Sequence, residues 1–230
     1  MKKRAGDEPH YIDHRKRLRE RFRKAGFEGF RDYEALELLL TYAVPRKDVK
    51  PISKELIVRF GGFQGVLDAA YEELVSVAGI KENAATFLLA VKQCAALYLK
   101  EGILRKKQIT STSSLLDYCR VAMSGLRDEQ FRVVFLNSQN EVIADEVIQE
   151  GTVNHSVVYP RKVMERALYH KASSLIFVHN HPGGGCKPSS EDKRLTNQLM
   201  GIAMGLGIKV LDHMIISKSG HFSFLEKGLL

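Results

Sequence analysis

A chain of 230 residues, 44% of them hydrophobic, has enough apolar material for one substantial core or two smaller ones. No apolar run reaches the roughly 18 residues of a membrane span. The stretch MKKRAGDEPHYIDHRKRLRERFRKAG lacks the apolar centre of a secretory signal, and Cys94, Cys119 and Cys186 have no paired spacing that would suggest a disulfide framework. A cytoplasmic protein with no membrane contact is expected.

The net charge of +8 is concentrated in residues 1–108, and much of it falls in HRKRLRERFRKAG, His14 to Gly26. Leu18 and Phe22 lie four apart there, so the stretch reads as an amphipathic helix with Arg15, Lys16, Arg19 and Arg23 on a basic face. Such a face is either solvated or in contact with a polyanion such as nucleic acid. Tyr33, Leu36, Leu39 and Leu40 then recur at helical spacing, and Pro45 and Pro51 bracket a polar connector. Leu56, Val58 and Phe60 mark a further helix that stops at Gly61-Gly62. Phe87, Leu88, Val91, Ala95 and Tyr98 are expected to line one face of the next. The polar run KEGILRKKQITSTS follows, and it divides the chain into an all-α domain over 1–105 and a second domain over 106–230.

In that second domain the patterning alternates. SLLDYCRVAMSGL reads as a helix. FRVVFL (131–136) and EVIADEVI (141–148) read as a hairpin turned at NSQN. Pro160 opens a helix whose buried face is expected to be Val163, Met164, Ala167 and Leu168. SSLIFVHN (173–180) is a strand, Ser190 to Gly205 a helix with Leu195, Leu199 and Ile202 inward, and KVLDHMII (209–216) a strand. This order predicts an α/β domain with a mixed, curved sheet flanked by helices.

The run HNHPGGGCKPSSED, His179 to Asp192, carries the chemistry. On an extended strand His179 and His181 point to one side, roughly 6.5 Å apart at Cα, so both imidazoles can reach one ion at about 2.0–2.1 Å. Pro182 and the glycines turn the chain away, and the following helix brings Asp192 back. Two imidazoles and a carboxylate leave a fourth position open, a pattern of catalytic rather than structural zinc. The competing reading makes Ser189 and Asp192 a capping box of S-x-x-D spacing, which explains those two residues but not the histidine pair.

His179, His181, Pro182, Ser189 and Asp192 match in order and spacing the JAMM motif of MPN/JAB metalloproteases, which include deubiquitinating isopeptidases. The longer pattern FRVVFLNSQN, GTVNH, YPRKVMERAL, HNHPGG, PSSED and VLDH resembles the RadC branch, historically labelled DNA repair proteins. HYIDHRKRLRERF and DYEALELLLTYAVPRKDVKPISKELIVRFGG extend the resemblance to its N-terminal region. It implies a zinc-dependent hydrolase of the JAB/MPN fold acting on a peptide or isopeptide substrate. His179, His181 and Asp192 are implied as zinc ligands, Glu129 as general base toward the attacking water, and Ser189 as donor to the tetrahedral oxyanion. Glu146 and Glu150 are alternative bases.

The sequence departs from the family pattern at three places. Gly183 stands where the RadC loop commonly has serine, and Cys186 lies in the same loop, where it reads as a spectator thiol, with binding or poisoning of the metal as the alternative. The third lies in VAGIKENAA, where the resemblance implies a DNA-binding helix-hairpin-helix. The segment keeps Gly79 but has Lys81 at the second glycine, so a structural hairpin is expected; Lys81 can still offer a charge to nucleic acid, and any DNA binding should be weak and sequence-independent. Asp212 and His213 lie on opposite faces of their strand. His213 reads as a satisfied core or edge histidine, with support of the zinc ligands as the minor alternative. His155, His170 and His221 are assigned no chemistry.

Overall fold

Helices make up the regular structure from His10 to Arg105 in the computed structural model, which describes residues 10–105, 112–151 and 158–230. They are α1 (His10–Ala25), α2 (Asp32–Ala43), α3 (Lys50–Phe60), α4 (Phe63–Asp68), α5 (Tyr71–Val75) and α6 (Glu82–Arg105). The chain separates into two units, Met1–Lys92 and Gln93–Leu230, so the division falls inside α6, upstream of the 105/106 boundary read from the sequence. His155 and most of the linker 105–113 lie outside the described residues.

The first unit packs around Leu36 and Leu40 of α2, Ile52 and Leu56 of α3, Val66, Leu74, and Ala84, Ala85 and Leu88 of α6. Gly61 ends α3 as expected, in a left-handed conformation at φ 75° that glycine adopts without strain. Gly79 is required twice over. Its φ is +93°, and a Cβ there would stand 2.7 Å from Ile52 Cδ1. Two expected faces were rotated from the observed ones. Ala95 and Tyr98 of α6 are exposed while Ala96 is buried, and Val58 of α3 is 84% exposed. Apolar residues occur all round these helices, so periodicity alone left the phase ambiguous.

The second unit is a five-stranded mixed sheet with helices on both faces. Its elements are α7 (Thr112–Met123), β1 (Glu129–Leu136), β2 (Val142–Gly151), α8 (Pro160–Tyr169), β3 (Ser174–Asn180), α9 (Ser190–Gly205), β4 (Lys209–Ser217) and β5 (Gly220–Ser223). The strand order is β2-β1-β3-β4-β5. Only the β3–β4 neighbours are parallel, and α9 makes that crossover; the other neighbours are antiparallel. The hairpin turns where expected, with Asn137 Oδ1 accepting from the amides of Gln139 and Glu141 at 2.9 and 3.0 Å.

Strand alternation sorts the core into two layers. Phe131, Val133, Phe135, Leu175 and Phe177 face Val163, Met164 and Ala167 of α8 and Leu199 and Ala203 of α9. Val134, Leu136, Ile176 and Val178 face Leu115, Tyr118, Cys119 and Met123 of α7, together with Ile103. β3 is buried on both faces along its whole length. Leu168 and Ile202, expected inward, are 57% and 39% exposed, because α8 and α9 present a narrower stripe to the sheet than the sequence suggested.

Candidate metal centre

The odd-numbered residues of β3 face the α8/α9 layer, which puts His179 on the side from which α9 begins. His181 lies one residue beyond the strand end, where its amide still donates to Ile216 O of β4 at 2.8 Å. Asp192, in the first turn of α9, closes the set. Its Oδ1 is 3.2 Å from His179 Nε2, and its Oδ2 is 3.5 Å from His181 Nε2. The two Nε2 atoms are 2.9 Å apart. Among the described residues these three form a group able to hold a metal ion, with ligand atoms within 4.8 Å of one another, and Cys186 stands outside it.

The chemistry of the donors fits a cation. His181 Nδ1 is 2.9 Å from Gly185 O, an atom that only accepts, so Nδ1 carries a hydrogen; the neutral ring then offers its Nε2 lone pair to a cation, and the protonated ring its Nε2–H to Asp192. Burial works to raise the Asp192 pKa, but hydrogen bonds from His179, His181 and Ser189 outweigh it, and the carboxyl is held far below its ordinary range. The His181 pKa is raised, first by its hydrogen bond to Asp192 and against the effect of burial, with the Glu129 carboxylate adding a smaller share.

The capping role of Asp192 does not turn its carboxylate away from the histidines. Ser189 is the N-cap of α9, and its Oγ accepts from Asp192 N at 3.1 Å. Asp192 Oδ2 accepts from Ser189 N and Ser189 Oγ, both at 2.7 Å. The box aims the carboxylate at the histidines.

A RadC-like JAB domain model matches residues 109–229. The chain belongs to this family. A UPF0758 N-terminal model matches residues 10–86. A UPF0758 protein of Ruegeria pomeroyi is 44% identical over 223 residues, which is 96% of this chain and 100% of that protein. A UPF0758 protein of Rhodobacter capsulatus is 45% identical over 213 residues, 93% of this chain and 100% of its own length.

Within this RadC-like domain, Glu129 opens β1. The antiparallel register pairs Phe131 with His179. Glu129 lies two residues before Phe131 on the same face of β1, just past the end of that pairing, and its carboxylate is near enough to contribute to raising the His181 pKa. The alternative bases are placed differently. Glu146 accepts from Arg166 Nε at 2.7 Å and lies 2.7 Å from His170 Nε2, and the Arg166 hydrogen bond, against a smaller opposing effect of burial, lowers its pKa to about 2. Glu150 is exposed and lies 3.5 Å from Gln130 Nε2.

Three residues around the site, His213, Thr196 and Asn180, receive no ligand or catalytic role from the motif. His213 is fully buried in β4, where desolvation pushes its pKa well below the usual histidine range. Its Nε2 is 2.8 Å from His179 Nδ1, so it stands directly behind a proposed ligand rather than being a core residue alone. Asp212, on the opposite face as expected, accepts from Ser223 Oγ and Leu225 N. Thr196, one helical turn after Asp192, places its Oγ1 2.6 Å from His213 Nδ1 and 2.6 Å from Asp192 O. Asn180, the residue between the two histidines, reaches across to β1. Spacing of four from Asp192 was a usable signal for Thr196, whereas the β3–β4 register that brings His213 into place was not readable.

In the first unit the basic residues differ in their environments. Arg15 donates to the carbonyls of Thr41 at 3.3 Å, Val44 at 2.8 Å and also Lys47, satisfying groups at the C-terminal end of α2. Lys16, Arg23 and Lys81 are exposed, and Arg19 is half-buried. Among the described residues no helix is long and apolar enough to cross a membrane.

Proposed function

We propose that this chain is a zinc metallohydrolase of the JAMM type that cleaves a peptide or isopeptide bond. The observation that carries the reading is the convergence of two imidazole Nε2 atoms and a carboxylate within 4.8 Å, with a second carboxylate, Glu129, acting electrostatically on His181. Zinc held by His179, His181 and Asp192 would supply Lewis acidity for a carbonyl and lower the pKa of water toward neutrality.

The protein's own groups divide the remaining work. Glu129 accepts the proton of the attacking water and returns it to the leaving amine. Ser189 donates its hydroxyl to the oxygen of the tetrahedral intermediate. For this its hydrogen swings away from Asp192 Oδ2, while Ser189 N continues to hold that carboxylate oxygen. The aromatic and aliphatic layer beneath His179 keeps the imidazole rigid.

The test is a panel of peptides and isopeptide-linked conjugates incubated with the zinc-loaded chain and with Glu129→Gln. Hydrolysis that falls by about 10²–10⁴ in the variant, with zinc retained, supports the roles assigned. Full activity in Glu129→Gln would move the base elsewhere, and zinc-loaded wild type inert toward every conjugate would count against hydrolysis of these bonds.

A second reading concerns nucleic acid. The exposed bases of α1 and the charge excess of residues 1–108 support weak, sequence-independent DNA contact by the first unit. This contact is compatible with hydrolysis and is tested by binding across salt.

A further inference from the structure

We propose that His213 and Thr196 form a polarised hydrogen-bond relay that holds His179 in its ligating tautomer and so sets the affinity of the site for zinc. The inference rests on the zinc reading above and extends it to residues outside the ligand set.

The relay runs from His179 Nδ1 to His213 Nε2 at 2.8 Å, from His213 Nδ1 to Thr196 Oγ1 at 2.6 Å, and from Thr196 Oγ1 to Asp192 O at 2.6 Å. A neutral imidazole has one N–H and one lone pair, and a hydroxyl has one hydrogen to give. The chain therefore has two self-consistent polarities. In the first, Thr196 donates to Asp192 O, His213 donates from Nδ1 to Thr196, and His179 donates from Nδ1 to His213, which leaves the His179 Nε2 lone pair facing the site. In the second, every bond reverses and His179 Nε2 carries a hydrogen, so it cannot ligate.

Asp192 O and a bound ion together select the first. A carbonyl only accepts, so the Thr196–Asp192 bond exists only in the first polarity. Reversing the chain loses that bond and turns the Nε2–H of His179 toward Asp192 Oδ1, 3.2 Å away, where it blocks the metal position. The local packing keeps the relay intact, because Phe224 stacks on His213 at 4.8 Å and Phe177 packs edge-on at 5.8 Å. The relay also closes a ring behind the site: it begins on one ligand, His179, and ends on the main chain of another, Asp192. Strand and helix are thus tied together at the spacing the three ligand atoms need. Hydrogen bonds of this kind to ligating histidines typically change metal affinity by about 10–100-fold.

The experiment measures zinc affinity of the full chain by competition with a chromophoric chelator, in wild type, Thr196→Val and Thr196→Ser. Valine keeps the branched shape without the hydroxyl, and serine keeps the hydroxyl without the methyl. Affinity about tenfold or more weaker in the valine variant, with serine within about threefold of wild type, supports the relay. Equal affinity in all three overturns it, as does equal weakening in both variants, which would mean that packing alone matters. Imidazole ¹⁵N spectra of the zinc-loaded wild type give an independent reading: His213 protonated at Nδ1 supports the assignment, and protonation at Nε2 overturns it. A wild-type chain that takes up no zinc removes the site reading and the relay with it, whereas zinc binding unaffected by the valine removes the relay alone.

Discussion

Asn180 grips the main chain on both sides of Glu129. Its Oδ1 accepts from Gln130 N at 2.8 Å and its Nδ2 donates to Asp128 O at 3.0 Å, so the residue between the two histidines fixes the start of β1. The β1–β3 pairing begins at Phe131 and His179, and the Asn180 amide takes over where main-chain pairing stops. One side chain thereby couples the strand that carries His179 to the residue proposed as base.

Asn180→Ala is accordingly expected to destabilise the second unit by about 1–3 kcal/mol, since a buried N–H and a carbonyl both lose their partner. Zinc binding should persist, because the three ligands are untouched, while hydrolysis slows as Glu129 loses its fixed position. Denaturant unfolding of the zinc-free chain checks the first part; unchanged stability would show that water or a shifted strand replaces the clamp.

The Glu146 cluster provides a pH dependence independent of the metal site. Its folded-state pKa, about 2, lies below the ordinary value of 4.5, chiefly through the Arg166 hydrogen bond. The stabilisation is therefore fully present above about pH 4.5 and is lost as pH falls through about 2. After allowance for partial exposure and solvent screening it amounts to about 1 kcal/mol. Glu146→Gln should lower the melting temperature at pH 7 and match wild type near pH 2; a constant difference across that window would point to shape rather than charge.

Arg15 and Lys16 are neighbours in sequence with opposite expected phenotypes. Arg15→Ala removes a half-buried guanidinium from three carbonyls and should lower stability by about 1–3 kcal/mol. Lys16→Ala, at an exposed position, should leave stability within about 0.5 kcal/mol and weaken any DNA affinity together with its salt dependence. Thermal melts paired with binding titrations at two salt concentrations separate the two outcomes. Loss of stability in Lys16→Ala would contradict this division.

How much of this was legible beforehand follows from the range of the interactions. His179, His181 and Asp192 lie on one strand, one turn and one helix start, where alternation and capping rules act locally, and the structure brings them together. The mixed sheet flanked by helices was likewise readable from alternating strand and helix patterns. Glu129 depends on a register between β1 and β3, so only the family resemblance pointed to it. His213 depends on the parallel pairing of β3 with β4, and nothing in the spacing of VLDH reveals which strand lies beside it. β5, Gly220–Ser223, is too short and too polar to carry a strand signal. The phases of α6 and α9 were misread at Tyr98 and Ile202 because apolar side chains occur on more than one face.

The most direct test of the account is the zinc content of the purified full chain beside that of a His179→Ala/His181→Ala variant, by elemental analysis with circular dichroism as the check on folding. The account predicts about one zinc per wild-type chain, as expected of a three-ligand site with an open position, and none in the folded variant. A folded variant that keeps its full complement of zinc would contradict it.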